Sequence, residues 1–256
     1  DNNAKLENLA GTISSKGDTN SLLDLDGANI VNLPEIEDAE EEITEETASN
    51  ESSDDSVDFD VSGDEITVNE DVIATYKVLG AAISYGGQYD MAVTTQFEIT
   101  DAEGTSSNES HFGDYDSAID GNVNNGEQQE YTPEEIYEAG TTIVTEAISW
   151  KKTSSRRSGD KESHWRVYME VDSSNNTNTQ ILSSGDDIPN INGYLDQGDV
   201  ESFLEGYIND DGTMNLDDNQ VIILFELGTT NMSSSAADFQ DLVILVTFTS
   251  APEEAE

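Results

Sequence analysis

Residues 221–227 read VIILFEL and residues 242–248 read LVILVTF, and these two apolar runs decide the fold. Both have the length and the near-continuous apolarity of β-strands that are buried on both faces. The polar segment 228–241 joins them, which favours antiparallel neighbours at the centre of the core. Glu226 is the one charge in the first run, and because a buried carboxylate is costly we expect it to point outward or to pair with an arginine.

Alternation of apolar and polar residues extends the β pattern through the rest of the chain. A period of two residues predicts half-buried strands, and strand-like runs lie at residues 57–61, 72–79, 91–99, 141–150 and 165–171. In the last of these, Trp165, Val167, Met169 and Val171 share one face. Gly86 and Gly87 lie between the second and third runs, which predicts a meander with a short turn.

Two short helices are also predicted. Thr132, Pro133 and Glu135 form a capping box with proline in the first turn, and Gly140 ends this helix. Residues 199–209 carry apolar side chains at the i, i+3, i+4 spacing of an amphipathic helix. The polar stretch 100–131 is long for a loop, which is typical of functional or interfacial segments.

These patterns predict a mainly β protein, an antiparallel β-sandwich or jelly-roll-like barrel with two short helices and an extended N-terminal arm. An α+β fold is the alternative. We divide the chain into an arm at 1–36, an acidic linker at 37–56, a β-rich domain at 57–250 and an acidic tail at 251–256.

The charge of the chain predicts the medium. Its 56 acidic and 9 basic residues give a net charge of −47, whereas small soluble domains usually carry a magnitude of about 2–8. Such self-repulsion destabilises a compact state unless salt screens it. The Debye length falls from about 8 Å at 0.15 M to about 3 Å at 1 M, so the composition indicates an extreme halophile.

Several features predict an extracellular, cell-surface or virion address. The chain starts at Asp1 without methionine, which we interpret as a mature end left by removal of a signal segment. It has no cysteine and no run of 18 apolar residues, so we expect no disulfides and no membrane span. Four Asn-x-Ser/Thr sequons, each expected in a loop, predict N-linked glycans at Asn50, Asn108, Asn175 and Asn231.

Catalytic motifs are missing from the sequence, so we predict that the protein is not an enzyme and has no catalytic residues. No nucleophile elbow, phosphate loop or zinc spacing occurs, and we expect His111 and His164 on the surface. The negative charge argues against nucleic acid as a partner. No cofactor is predicted, although calcium or other cations could bind oxygen-rich turns at Asp24, Asp26, Asp210, Asp211 and Asp217. Simple Asx turns are the alternative there.

One basic segment interrupts the otherwise acidic sequence. Six of the nine basic residues fall within sixteen positions, on a predicted hairpin loop: Lys151, Lys152, Arg156, Arg157, Lys161 and Arg166. This basic patch could dock the acidic surface of a second copy, which predicts a homo-oligomer or homopolymer. It could equally fold over the acidic linker of its own chain.

Two stretches resemble haloarchaeal secreted, pilin-associated cell-surface proteins. They are VLGAAISYGGQYD at 78–90 and FELG at 225–228, the latter continued by ADFQDLV at 237–243. The resemblance carries no catalytic motif. Proteins of this type normally begin with an apolar helix that forms the filament core, and this chain has none at its start. Polymerisation would therefore need another route, such as an N-terminal arm that adds a strand to the sheet of the next subunit.

We therefore expect a structural extracellular subunit of a filament, sheath or adhesion structure. A capsid or spike protein of a haloarchaeal virus is one alternative. A secreted cation- or carbohydrate-binding module is the other, and Trp150, Trp165 and Tyr168 are its candidate aromatic contacts.

Overall fold

In a computed structural model, the described residues form thirteen strands, and all of these strands pair antiparallel. The structure describes residues 56–63, 65–86, 89–153, 161–174, 177–188, 203–234 and 236–252. Residues 1–36, nearly all of the acidic linker and most of the acidic tail lie outside these ranges. The described residues belong to one compact unit, Glu51–Glu256, and its first strand begins close to the predicted boundary at residue 57.

The strands follow one another along the chain with one 3₁₀ turn, Glu162–His164, before the tenth. Their bounds are β1 Phe59–Ser62, β2 Glu65–Val68, β3 Val72–Gly80, β4 Ser84–Tyr85, β5 Tyr89–Asp90, β6 Ala92–Thr100, β7 Ser106–Glu109, β8 Gln129–Tyr131, β9 Thr142–Lys152, β10 Trp165–Asp172, β11 Thr179–Leu182, β12 Gln220–Phe225 and β13 Leu242–Ser250.

Two separate sheets contain all but two of the strands. The first has the order β1-β2-β9-β6-β7, with β10 also paired to β9, and the second has the order β11-β12-β13-β3-β8. β4 and β5 form a small hairpin of their own. The mainly β, antiparallel prediction is therefore confirmed, and β12 and β13 are neighbours in register from Gln220↔Thr247 to Phe225↔Leu242.

The main core lies between the two sheets. Its side chains come from the alternating positions that the sequence marks as apolar, such as Tyr76 on β3 and Phe97 on β6, whose ring centroids are 4.0 Å apart. The predicted meander is wrong, because β3 and β6 belong to different sheets and each turns its apolar face toward the other. The turn at Gly86 belongs to the β4–β5 hairpin.

A second apolar layer covers the outer face of the β12–β13 sheet. Leu204, Met214 and Phe239 pack there against Ile222 and Leu245. This cover explains the continuous apolar runs at 221–225 and 242–246, since both faces of these segments are buried. A smaller cluster, in which Tyr115 and Ala118 pack on Ala92, Ile148 and Trp150, covers part of the first sheet. The long polar stretch 100–131 thus contains β7, β8 and this cover.

The predicted helix at 132–139 does not form. Tyr137 is buried and exchanges two backbone hydrogen bonds with Val72, at 2.9 and 2.8 Å, so the segment runs along the edge of β3. The gain from burying this tyrosine outweighs the local capping signal. The predicted helix at 199–209 does not continue past Phe203, because the chain turns at Gly206 and Ile208 bridges to Met214.

No helix within the described ranges is long and apolar enough to cross a bilayer.

Candidate functional site

A pocket of about 440 Å³ opens where the β4–β5 hairpin, β10 and the loop between β12 and β13 meet. Residues 82–86 and Met91 form one wall, and Tyr168 forms another. The floor belongs to the β12–β13 loop, which contributes Gly228, Ala236, Asp238, Gln240 and Asp241. The pocket therefore combines two tyrosine rings with two buried carboxyl groups.

Glu226 holds the floor together from beneath. Its side chain is fully buried, and its carboxylate accepts four backbone N–H groups: those of Gly228 and Thr229 at 2.9 Å each, Asp238 at 2.9 Å and Phe239 at 3.4 Å. The expectation that Glu226 points outward or pairs with an arginine is wrong. A ring of backbone dipoles replaces the cation that such a buried charge would otherwise need.

Asp241 makes the second carboxyl contact of the loop. Its Oδ2 atom accepts the backbone N–H of Leu227 at 2.6 Å. Burial, together with the nearby carboxylate of Glu226, raises the pKa of Asp241 well above its ordinary value. Perturbed carboxyl groups in a cleft are typical of functional sites.

Phe239 adopts a left-handed backbone conformation with φ of 55°. A residue with a bulky side chain rarely takes this conformation, which costs roughly 1–3 kcal/mol. Two contacts hold it there: the hydrogen bond from its N–H to Glu226, and the packing of its ring in the outer apolar layer. The floor of the pocket is thus rigidly built.

Tyr85, Tyr168 and Lys151 form the rim. The two rings are 6.1 Å apart at 74°, an edge-to-face arrangement, and the Lys151 Nζ atom lies 3.1 Å from the centroid of the Tyr85 ring. This ammonium group lowers the pKa of the Tyr85 hydroxyl by hydrogen bonding. A β-bulge between Val167 and Met169 turns Tyr168 toward the pocket, where its hydroxyl donates to the Gly228 carbonyl at 3.4 Å.

Because of the same bulge, the prediction that Trp165, Val167, Met169 and Val171 share one face of β10 is wrong. Val167 is 50 % exposed and lies on the opposite side from the buried Val171, because the extra residue breaks the period of two. Trp150 and Trp165 are taken up by packing on the outer face of the first sheet. Of the three predicted aromatic contacts, Tyr168 alone lines the pocket.

His164 is buried and His111 is part-buried with only 4 % of its side chain exposed, so the prediction of surface positions is wrong. His111 stacks on Phe97 and Tyr131, with ring centroids 4.8 and 4.5 Å away, and fills the gap between the edges of the two sheets. Burial lowers its pKa from 6.5 to about 4, although Glu109 Oε2 lies 3.4 Å from Nε2. Its aromatic surroundings explain the burial of a polar ring.

The described residues of the basic patch lie where β9 ends and β10 begins. Lys151 is on the pocket rim, Lys152 faces the Trp165 ring at 5.3 Å, and Arg166 donates to the Trp165 carbonyl at 2.7 Å. Lys161 is exposed just before the 3₁₀ turn. Arg156 and Arg157 lie outside the described residues.

The predicted glycan and cation positions that the structure describes are all exposed. Asn108 is exposed but lies in the edge strand β7 and not in a loop, because the outer edge of β6 takes this segment as a partner. Asn231 is exposed in the β12–β13 loop. The other predicted positions, Asn50, Asn175, Asp24 and Asp26, fall outside the described residues.

Asp210, Asp211 and Asp217 are all exposed and lie at turns. Asp211 Oδ1 accepts the backbone N–H and the hydroxyl of Thr213, at 3.2 and 2.7 Å, as in an Asx turn. Across the ranges that the structure describes, no three histidine, aspartate or glutamate side chains are arranged to hold a metal ion.

The pocket was not predicted from the sequence, because its residues come from three distant parts of the chain. One signal was available: the acids at 226, 238 and 241 flank a loop between two strands that are buried on both faces. Carboxylates at the ends of buried strands must either reach solvent or find internal donors. Here Glu226 and Asp241 accept backbone N–H groups, and Asp238 accepts the side-chain N–H of Gln240. Comparisons with family models, curated proteins and solved structures return no match to this chain.

Proposed function

We propose that this chain is a structural subunit of an extracellular assembly in an extreme halophile. In this role it forms part of a filament, sheath or adhesion structure at the cell surface, in line with its resemblance to haloarchaeal pilin-associated proteins. The observation that carries the proposal is the edge strand β10, which pairs with β9 alone among the described residues and bears exposed Val167 next to the basic patch.

An unpaired strand edge is a template for a strand from another chain. Proteins usually protect such an edge with cations or bulges, and β10 has both. Cations repel a basic strand but attract an acidic one, and nearly every surface of this chain is acidic. Neither Lys151 nor Arg166 has a carboxylate of the described residues within 4.0 Å, so these charges are available to a second copy.

The N-terminal arm of a neighbouring copy is the partner that we propose for this edge. Residues 1–36 contain short apolar groups, such as Leu22, Leu23 and Leu25, beside acidic Asp24 and Asp26. Acidic side chains would meet the basic patch while apolar ones would cover Val167. Because the Debye length at 1 M salt is about 3 Å, only charges in contact would contribute, so the patch would select register and partner.

Electron microscopy and light scattering of the full chain in molar NaCl test this proposal. Wild type is expected to form ordered assemblies, and the variant Arg166→Gln is expected to raise the protein concentration that assembly requires. Lys77→Gln, which removes a positive charge from β3, is the control and should assemble like wild type. Strictly monomeric particles at every salt concentration would contradict the proposal.

A second candidate function is a secreted carbohydrate- or cation-binding module. The pocket between Tyr85, Tyr168 and the β12–β13 loop favours it. The two functions share Lys151, which belongs to both the pocket rim and the basic patch, whereas Val167 and Arg166 belong to the edge alone and Asp238 and Asp241 to the pocket alone.

A further inference from the structure

We propose that the pocket binds a neutral, polyhydroxylated ligand, a sugar ring, between the tyrosines of the rim and the carboxyl groups of the floor. This inference deepens the second candidate function and rests on it. It does not depend on assembly through β10.

The dimensions of the pocket fit a small organic ligand. Its volume of about 440 Å³ falls within the roughly 300–1,000 Å³ typical of ligand sites. The lining mixes the two kinds of group that such sites combine, since Ile83 and Met91 are apolar whereas Ser84, Asp238 and Asp241 are polar.

The charges around the pocket disfavour ionic ligands of either sign. Lys151 already places its ammonium group 3.1 Å from the centroid of the Tyr85 ring, so an incoming organic cation would meet an occupied ring and a like charge. An anion would have to approach Asp238 and Asp241 on the floor of a chain with a net charge of −47. A neutral polar molecule avoids both penalties.

A sugar ring matches the groups that remain. Its C–H faces are apolar and can pack on the Tyr168 ring and beside the Lys151–Tyr85 pair, while its hydroxyl groups both donate and accept hydrogen bonds. Asp238 and Asp241 place carboxyl groups in the lining. Asp238 Oδ2 accepts the Gln240 side-chain N–H at 3.1 Å and Asp241 Oδ2 accepts the Leu227 N–H at 2.6 Å, so a sugar hydroxyl would share these carboxyl groups with the protein's own donors.

The site is ordered before any ligand arrives. Four hydrogen bonds to Glu226 hold the ends of the floor loop, and the hydroxyl of Tyr168 is 3.4 Å from the carbonyl oxygen of Gly228 that accepts it. Little conformational entropy would therefore be lost in binding, which allows a small ligand a measurable affinity.

Saturation-transfer NMR with a panel of free monosaccharides, including glucose, galactose, mannose and N-acetylglucosamine, tests the inference in molar NaCl. At least one sugar should show transfer to its ring protons with wild type. Tyr85→Ala and Tyr168→Ala are expected to weaken binding about ten-fold each, since each removes one aromatic contact. Tyr89→Ala is the matched control, because Tyr89 is 53 % exposed on the same hairpin and does not line the pocket.

Ala236→Trp is a second test of binding, and this substitution removes no contact. Ala236 is exposed at the pocket mouth, so the indole should fill the pocket and abolish transfer while the fold is kept. The inference is overturned if wild type shows no transfer from any sugar, if both tyrosine variants bind the sugar as tightly as wild type, or if tetramethylammonium displaces the sugar. Light scattering on the same samples reports assembly separately, so failure of the first proposed function would be distinguishable.

Discussion

Glu226 Oε2 accepts the backbone N–H of Asp238 at 2.9 Å, and this contact joins the two ends of the loop between β12 and β13. The two residues are twelve positions apart, so one buried side chain closes most of the loop. The other carboxylate oxygen, Oε1, takes the N–H groups of Gly228 and Thr229 at the start of the same loop. The shape of the pocket floor thus depends on a single carboxylate.

Replacing this carboxylate should destabilise the whole domain. In Glu226→Gln the amide NH₂ would face backbone N–H donors, leaving buried groups without an acceptor, at a cost of about 3 kcal/mol in the free energy of unfolding. Urea denaturation in molar salt measures it. Glu127→Gln, at an exposed position, is the control and should change stability by less than about 0.5 kcal/mol. A variant as stable as wild type would show that the loop does not depend on the charge.

Asp241 should make stability fall as the pH rises. Its pKa is raised in the folded state, so the folded protein binds this proton more tightly than the unfolded chain. The contribution is fully present below the ordinary value of 3.8 and is lost as the pH rises through the raised pKa. Asp241→Asn keeps an oxygen for the Leu227 N–H but cannot ionise, so it should lose less stability than wild type as the pH rises above the ordinary value of 3.8.

Thermal unfolding at constant molar salt measures this difference. Asp218→Asn, at an exposed position, should follow the wild-type pH profile. Parallel profiles of wild type and Asp241→Asn would count against a raised pKa at this position.

His111 should act in the opposite direction. Its pKa falls from 6.5 to about 4 on folding, so the unfolded chain binds this proton more tightly. The contribution of His111 is complete above pH 6.5 and is lost as the pH falls toward 4. His111→Phe keeps the stacking on Phe97 and Tyr131 and should remove this loss, as measured by the difference from wild type in urea titrations. An unchanged acid limb of the profile would refute the assignment.

Thr94 should be required for the packing of Trp150. Its buried hydroxyl accepts the indole N–H of Trp150 at 2.9 Å and donates to the Tyr115 carbonyl at 2.8 Å. Thr94→Val removes both contacts and leaves the indole N–H unpaired, so we expect a loss of about 2 kcal/mol and altered tryptophan fluorescence. Thr94→Ser keeps the hydroxyl and should retain most of the stability. Equal losses in the two variants would assign the effect to the methyl group.

Salt should stabilise the protein strongly. With a net charge of −47, self-repulsion at 0.15 M acts over about 8 Å, and at 1 M over about 3 Å. The midpoint of thermal unfolding is therefore expected to rise by roughly tens of degrees between these salt concentrations, because salt screens the self-repulsion. Sucrose at matched osmolality is the control for solvent exclusion and should have a smaller effect. A midpoint independent of salt would contradict adaptation to a hypersaline medium.

The strands were predictable where one physical signal dominated. At β12 and β13 the run of apolar residues reflects burial on two faces, and at β3 and β6 the period of two reflects burial on one. The short strands β4, β5, β7, β8 and β11 have few residues and little apolar character, so pairing with a neighbour creates them. Their formation depends on the edges that β3, β6 and β12 present, which local sequence does not encode.

The wrong predictions for Tyr137, Glu226 and His111 have a common physical origin. Each of these side chains gains hydrogen bonds or ring contacts from residues that are distant in the sequence. Tyr137 donates its hydroxyl to Glu109 at 2.8 Å, which together with its backbone pairing outweighs a capping signal in residues 132–135. The pocket follows the same rule, since Tyr85, Tyr168 and Asp241 meet only after two sheets and a bulge have formed.

Phe239 connects the two sides of the β12–β13 sheet. Its backbone belongs to the loop under the pocket, while its ring lies in the outer layer with Leu204 and Met214. By linkage, the free energy by which an occupied pocket changes the stability of this layer equals the free energy by which opening of the layer changes binding. Ligand occupancy and the local opening of residues 203–216 are thus thermodynamically reciprocal. The strained residue Phe239 belongs to both parts of the structure and couples them.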